Sequence, residues 1–206
     1  MPSTEQQLVD RALAGDRHAM GELLSNYRNR LFNVALRMVS HQDDAQELTQ
    51  DAMLKIVEHL KDYDGRSQLS TWMIRITMNL SISHLRKRKL RKTASLDSTA
   101  GPGLSGGDGE VSTSLSDRIE TKSELPPDQC VEESEMLVHL HEAMQRLDEE
   151  FRSVLVLRDV NEMDYREIAD ILEVPVGTVK SRLFRARLAL REEMSRAYPE
   201  LRTTDK

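Results

Sequence analysis

Apolar residues recur at three- and four-residue spacings through two long blocks, and that period commits the chain to packed helices. In the first block Leu31, Phe32, Ala35, Leu36, Met38 and Val39 share one face of a helix. Ala45, Leu48, Ala52, Ile56 and Leu60 do the same a little further on. In the last block Leu137, Leu140, Met144 and Leu147 mark one helix, and Phe151, Val154, Leu155 and Leu157 mark another. Hydrophobic residues make up 38% of the chain, aromatic residues only 4% and charged residues 31%. Cores of Leu, Ile, Val, Met and Ala at that charge density suit small helical bundles better than sheet sandwiches. The expected fold class is all-α: an N-terminal helical bundle and a C-terminal helix-turn-helix bundle joined by a flexible linker.

The 206 residues have room for one or two domains at roughly 100–200 residues each. Residues 1–92 read as the first helical domain. Within it, 62–70 (DYDGRSQLS) breaks the periodicity as a loop, and 71–92 resumes as a helix with Trp72, Ile76 and Leu80 on one face. Residues 93–131 read as a flexible linker, rich in Gly, Ser, Thr and Asp around GPGLSGGDG and ending near Pro126-Pro127. Such a segment buries too little apolar surface to offset chain entropy. Residues 132–198 form the second domain and 199–206 a tail.

The net charge of −6 conceals a segregated distribution. Seven cations (Arg75, Arg86, Lys87, Arg88, Lys89, Arg91, Lys92) and no acid lie in 71–92. Five more (Lys180, Arg182, Arg185, Arg187, Arg191), again without an acid, lie in 176–191. Twelve acids crowd into 110–150. Local fields of this kind steer a polyanion irrespective of the total charge. A solvated helix face explains one charge run but poorly explains two acid-free basic stretches in an acidic chain.

Asp164-Tyr165-Arg166-Glu167 has the form of a capping box that starts a helix carrying Ile168, Ala169, Ile171 and Leu172. Glu173-Val174-Pro175 ends it, because the residue before proline is turned away from helical angles. Gly177-Thr178 opens a second helix in which Val179, Leu183 and Ala186 face inward. That leaves Lys180, Ser181, Arg182 and Arg185 early in the helix and off its inner face, where a recognition helix carries its groove-contacting residues. Arginine pairs bidentately with guanine, and lysine and serine suit phosphates or base edges.

The run from Leu147 to Leu190, above all GTVKSRL followed by RAR, resembles the C-terminal domain of extracytoplasmic-function sigma factors of the sigma-70 family. A second match lies in the first block. DAQELTQD (44–51) is similar to the helix with which such factors grip RNA polymerase, and STWMIRI with Asn79-Leu80 and LRKR is similar to the promoter-melting element. The resemblance implies sigma region 2 in the first domain and region 4 in the second. It implies polymerase contacts at Asp43, Asp44, Glu47, Leu48, Gln50 and Asp51. The downstream promoter element would fall to Tyr63, Arg66, Ser67, Thr71, Asn79, Arg86, Lys87 and Arg88, with an unpaired base held by the loop and backed by Asn79. The upstream element would fall to Thr178, Lys180, Ser181, Arg182, Arg185 and Arg187. Implied partners are the polymerase core (β′ clamp and β subunit), promoter DNA and an anti-sigma factor. Three positions depart from the family pattern: Gln46 where an acid is usual, Met78 where a base is frequent, and Glu173 at a corner often occupied by glycine.

Catalysis finds no support: no phosphate-binding glycine loop, nucleophile elbow or two-cysteine metal motif occurs. His139 and His141, two apart on a helix, point to different faces and would not share a metal, so neither metal nor cofactor is expected. The lone Cys130 excludes an internal disulfide and fits a reducing cytosol. No run of about 18 apolar residues occurs, so no membrane insertion is expected and the chain is placed in the cytoplasm, on the nucleoid when bound to polymerase. Two rivals are a helix-turn-helix regulator acting without polymerase, and an adaptor that binds polymerase but no DNA.

Overall fold

The computed structural model describes residues 4–97 and 127–197, and among these it contains helices and turns but no strand. The expected linker lies, for residues 98–126, outside the described residues. The helices flanking it reach into it from both sides: one runs to Asp97 and the next begins at Pro127.

The N-terminal group comprises α1 (Thr4–Leu13), α2 (Arg17–Val39), α3 (Gln42–His59), a 3₁₀ turn (Leu60–Asp62) and α4 (Leu69–Asp97). Asp16 starts α2 by accepting from the amides of His18 and Ala19. Ser40 ends it in the left-handed region, with its N–H donated to the Leu36 carbonyl. That turn folds α3 back along α2, and α4 packs against both. Their core is Leu23, Leu31, Met38, Ile56, Met73 and Met78, all essentially inaccessible to water.

The inner face of α4 is not the expected one. Met73, Ile74, Thr77, Met78 and Ser81 are buried, while Trp72, Ile76 and Leu80 are half-buried along a flanking stripe. Thr77 and Ser81 tolerate the core because their hydroxyls donate back to the carbonyls of Met73 and Thr77 one turn earlier. The helix carries a wider apolar surface than one stripe because α2 and α3 cover it on one side and a helix of the C-terminal group meets it on another.

The C-terminal group comprises α5 (Pro127–Arg146), α6 (Glu149–Leu155) with a π turn (Val156–Val160), α7 (Tyr165–Leu172) and α8 (Val176–Ala197). Val154, Leu157, Ile168, Ile171, Val179 and Leu183 fill its centre. Apolar packing continues without a break from this group into the N-terminal one. Among the described residues no helix is long and apolar enough to cross a membrane.

Candidate nucleic-acid interface

Helices α7 and α8 form the helix-turn-helix. Asp164 accepts from the amides of Arg166 and Glu167, and Glu167 reaches back to the Asp164 amide at 2.9 Å, so the capping box is complete. The amide bonds to Asp164, that from Glu167 foremost, hold its carboxyl below the usual carboxylate range. Glu173 takes a left-handed backbone (φ 54°, ψ 45°) at the corner, the conformation for which glycine is favoured. Pro175 then precedes α8, its carbonyl accepting from Thr178 and Val179.

Val179, Leu183 and Ala186 pack inward. On a 3.6-residue period this turns Ser181, Phe184, Arg185 and Leu188 straight outward, with Thr178 and Lys180 at the margins. Ser181 and Arg185 bond only to carbonyls of their own helix among the contacts seen, and both are exposed. Lys180 lies 5.8 Å from the Tyr165 ring. Arg182 and Arg187 sit on the flanks instead: Arg182 is 3.0 Å from Glu150 and Arg187 2.5 Å from Asp159. Their carboxylate partners hold them against their own domain.

In the N-terminal group, the loop after the 3₁₀ turn is closed by Tyr63, whose hydroxyl donates to the Ser67 carbonyl at 2.6 Å while its ring rests 5.6 Å from that of Trp72. Gly65 (φ 71°) makes the bend, and Asp64 accepts from the Arg66 amide and pairs with its side chain. Ser67 and Arg66 are exposed. Thr71 is buried, its hydroxyl donated to Glu167 Oε1 at 2.9 Å. Asn79 is exposed on α4, roughly 12 Å further along the helix than Thr71 at 1.5 Å per residue. It shares a face with Arg75 and with Arg86, which is followed by the exposed Lys87 and Arg88.

On α3, Asp43, Glu47, Gln50 and Asp51 are exposed, and Asp44 is half-buried between His41 and His84. Leu48 is only 5% exposed and belongs to the core, so it supports the helix rather than offering a contact. The outward face instead carries Leu54 (63% exposed) and Val57 (45%) beside Glu47, Gln50 and Glu58.

Two family models match this chain, Sigma-70 region 2 over residues 23–91 and Sigma-70, region 4 over 137–190. The RNA polymerase sigma-H factor of Pseudomonas aeruginosa is 33% identical over 90% of this chain and 91% of its own. The chain belongs to the sigma-70 family. Within it, the relatives point to the extracytoplasmic-function group: SigW of Bacillus subtilis is 28% identical over 87% of this chain and 91% of its own, and sigma-E of Escherichia coli K12 is 29% identical over 91% and 92%. The fold agrees with that of the sigma factor RpoE solved with the anti-sigma factor NepR from Bartonella quintana (TM-score 0.61, 23% identity, 85% of this chain and 96% of that one). It agrees equally with CnrH solved with the cytosolic domain of CnrY (TM-score 0.60, 21% identity, 92% and 96%).

The N-terminal group is thus sigma region 2 and the C-terminal group region 4, and a free-standing helix-turn-helix regulator is not favoured. Four outward residues were missing from the sequence-based set: Leu54 and Val57 on α3, Arg75 on α4 and Phe184 on α8, the last 73% exposed. For Phe184 the signal was available. A phenylalanine two residues before the buried Ala186, and one after Leu183, falls on the solvent side of the same helical wheel.

Proposed function

We propose that this sigma factor, itself without catalysis, carries RNA polymerase core to promoters from within the cytoplasm, with a division of labour among three helices. The outward face of α3 docks on the β′ clamp, Leu54 and Val57 forming an apolar centre within the carboxylate and amide rim of Asp43, Glu47, Gln50, Asp51 and Glu58. An apolar core with a polar rim is the usual anatomy of a protein interface. The loop around Tyr63, Arg66 and Ser67 and the α4 face of Arg75, Asn79 and Arg86 meet the downstream element, with Lys87 and Arg88 on phosphates.

Helix α8 enters the major groove of the upstream element with Ser181, Phe184 and Arg185 foremost and Thr178 and Lys180 on the backbone. Phe184 adds what cations cannot, an apolar contact to a thymine methyl. Arg182 and Arg187 act from the flanks. An anti-sigma factor, as NepR is in the complex with RpoE, is the expected antagonist.

The observation that carries this function is the pair of outward faces on α3 and α8, one acidic around an apolar centre and the other basic, in a chain with both sigma regions. Run-off transcription with bacterial core polymerase on promoter fragments from the source genome tests it. Specific transcripts that require the added protein are expected. Polymerase binding without transcripts would indicate an adaptor, and the absence of both binding and transcripts would reject the sigma function.

A further inference from the structure

Helix α2 turns one polar face away from the core, and this face is none of those proposed above for DNA or polymerase. Asn26, Asn29, Arg30, Asn33 and Arg37 follow one another at three- and four-residue spacings, which puts all five on one stripe. From Leu23 to Gln42 the chain carries Arg28, Arg30 and Arg37 and no acid. The stripe lines a cleft of about 490 Å³ together with Val160, Asn161 and Glu162, where the π turn ends. That volume is within the range of small-molecule pockets.

The cations in this cleft have no protein counter-charge. Among the described residues no carboxylate pairs with Arg30 or Arg37, and neither guanidinium donates a hydrogen bond. Arg37 remains accessible, yet burial by its neighbours pulls its pKa below the usual arginine value. The side-chain amides of Asn26, Asn29 and Asn33 are also without a hydrogen bond to the described residues. Glu162 lines the same space, exposed and unpaired among them. The backbone on its side is irregular. Glu162 takes a left-handed conformation at φ 57°, and Asn161 closes the π turn by donating its side-chain amide to the Val156 carbonyl at 2.9 Å. A π turn followed by a residue with a Cβ at positive φ is a pair of features that concentrates at binding sites.

The mixture of groups selects the ligand. A bare anion would satisfy the two arginines and be repelled by Glu162. A ligand with phosphoryl groups at one end and N–H donors at the other answers all of them, and a nucleoside phosphate has both. Guanidinium takes phosphate in a bidentate fork, and asparagine amides pair with base edges. A carboxylate only accepts, so it suits a base that presents N–H groups side by side. Guanine does so with N1–H and N2–H, whereas adenine places an unprotonated N1 beside its amino group.

We propose that this cleft binds a guanine nucleotide, its phosphoryl groups on Arg30 and Arg37 and its base edge on Glu162 and the asparagine amides. The site is separate from the outward faces of α3, α4 and α8, and it requires neither polymerase nor promoter.

Calorimetric titration of the full-length chain with GDP, ADP and pyrophosphate at fixed ionic strength tests the site. GDP is expected to bind at least about tenfold more tightly than either of the others, the worth of one hydrogen bond to a charged group. Arg30→Gln and Arg37→Gln should each weaken GDP binding about tenfold while the melting temperature of the ligand-free chain stays unchanged. Glu162→Gln should bring the GDP affinity down to that of ADP. Arg28→Gln, exposed on another side of α2, should alter GDP binding by no more than about twofold. Pyrophosphate binding as tight as that of GDP would overturn the proposal, as would a chain that binds none of the three. An equal loss from Arg185→Gln would overturn it too, by placing the nucleotide on the α8 surface proposed for DNA.

Discussion

At the scale of single residues, Glu173 shows a local rule broken in a legible place. The sequence places it where a helix must stop two residues before Pro175, and the structure gives it φ 54°. A left-handed backbone costs a residue with a Cβ about 1 kcal/mol that glycine avoids. Its carboxylate gains only a 3.7 Å pair with Arg75 and is 77% exposed, so that pair contributes little. Glu173→Gly is therefore expected to stabilise the fold by up to about 1 kcal/mol in urea unfolding. A destabilised variant would mean that the side chain contributes more than the strain. Arg152 is the opposite case. Nothing in the sequence separates it from a surface arginine, since its burial depends on where the ends of α2 and α5 meet.

At the scale of elements, α3 and α8 were readable because each has one buried and one free face. The capping box, Pro175 and the inward Val179, Leu183 and Ala186 of the helix-turn-helix follow from spacing alone, and the structure contains all of them. The face of α4 did not follow, because a helix covered on two sides shows no single stripe. The outward faces yield a double dissociation. Glu47→Lys with Leu54→Asp should weaken core-polymerase binding at least tenfold and leave upstream-element binding by region 4 unaltered, through loss of an apolar anchor and reversal of a rim charge. Phe184→Ala or Arg185→Ala should leave polymerase binding intact and cost about 1–3 kcal/mol of discrimination at one base pair each, read from transcription on promoter variants. Loss of polymerase binding from either α8 change, in a folded protein, would overturn the division of labour.

At the scale of the whole molecule, the junction between the regions sets a pH dependence. Burial, and after it the nearby Arg152 charge, pull the pKa of His141 below 6.5; Glu142 opposes the shift and Arg37, from region 2, adds to it. A histidine depressed in the folded state is protonated first in the unfolded one. Stability should thus be greatest above pH 6.5 and fall as pH drops through that value, until the folded state's own lower pKa is reached. The carboxylates of Asp16 and Asp164, held low by amide bonds, lose their contribution only below about pH 4. The melting temperature should therefore decline between about pH 7 and 5.5, and His141→Gln should flatten that decline. An unchanged slope in the variant would assign the effect elsewhere.

Period, capping and charge segregation are local properties, and they were enough to establish two helical regions and a helix-turn-helix and to point to the two faces proposed to meet polymerase and upstream DNA. Residues far apart in the chain had to be brought together before Thr71 could meet Glu167, Arg86 meet Glu149, or Arg152 reach Met38. No spacing rule encodes such pairs. They depend on how two independently patterned bundles pack, and packing is what covered part of the α4 face proposed for the downstream element.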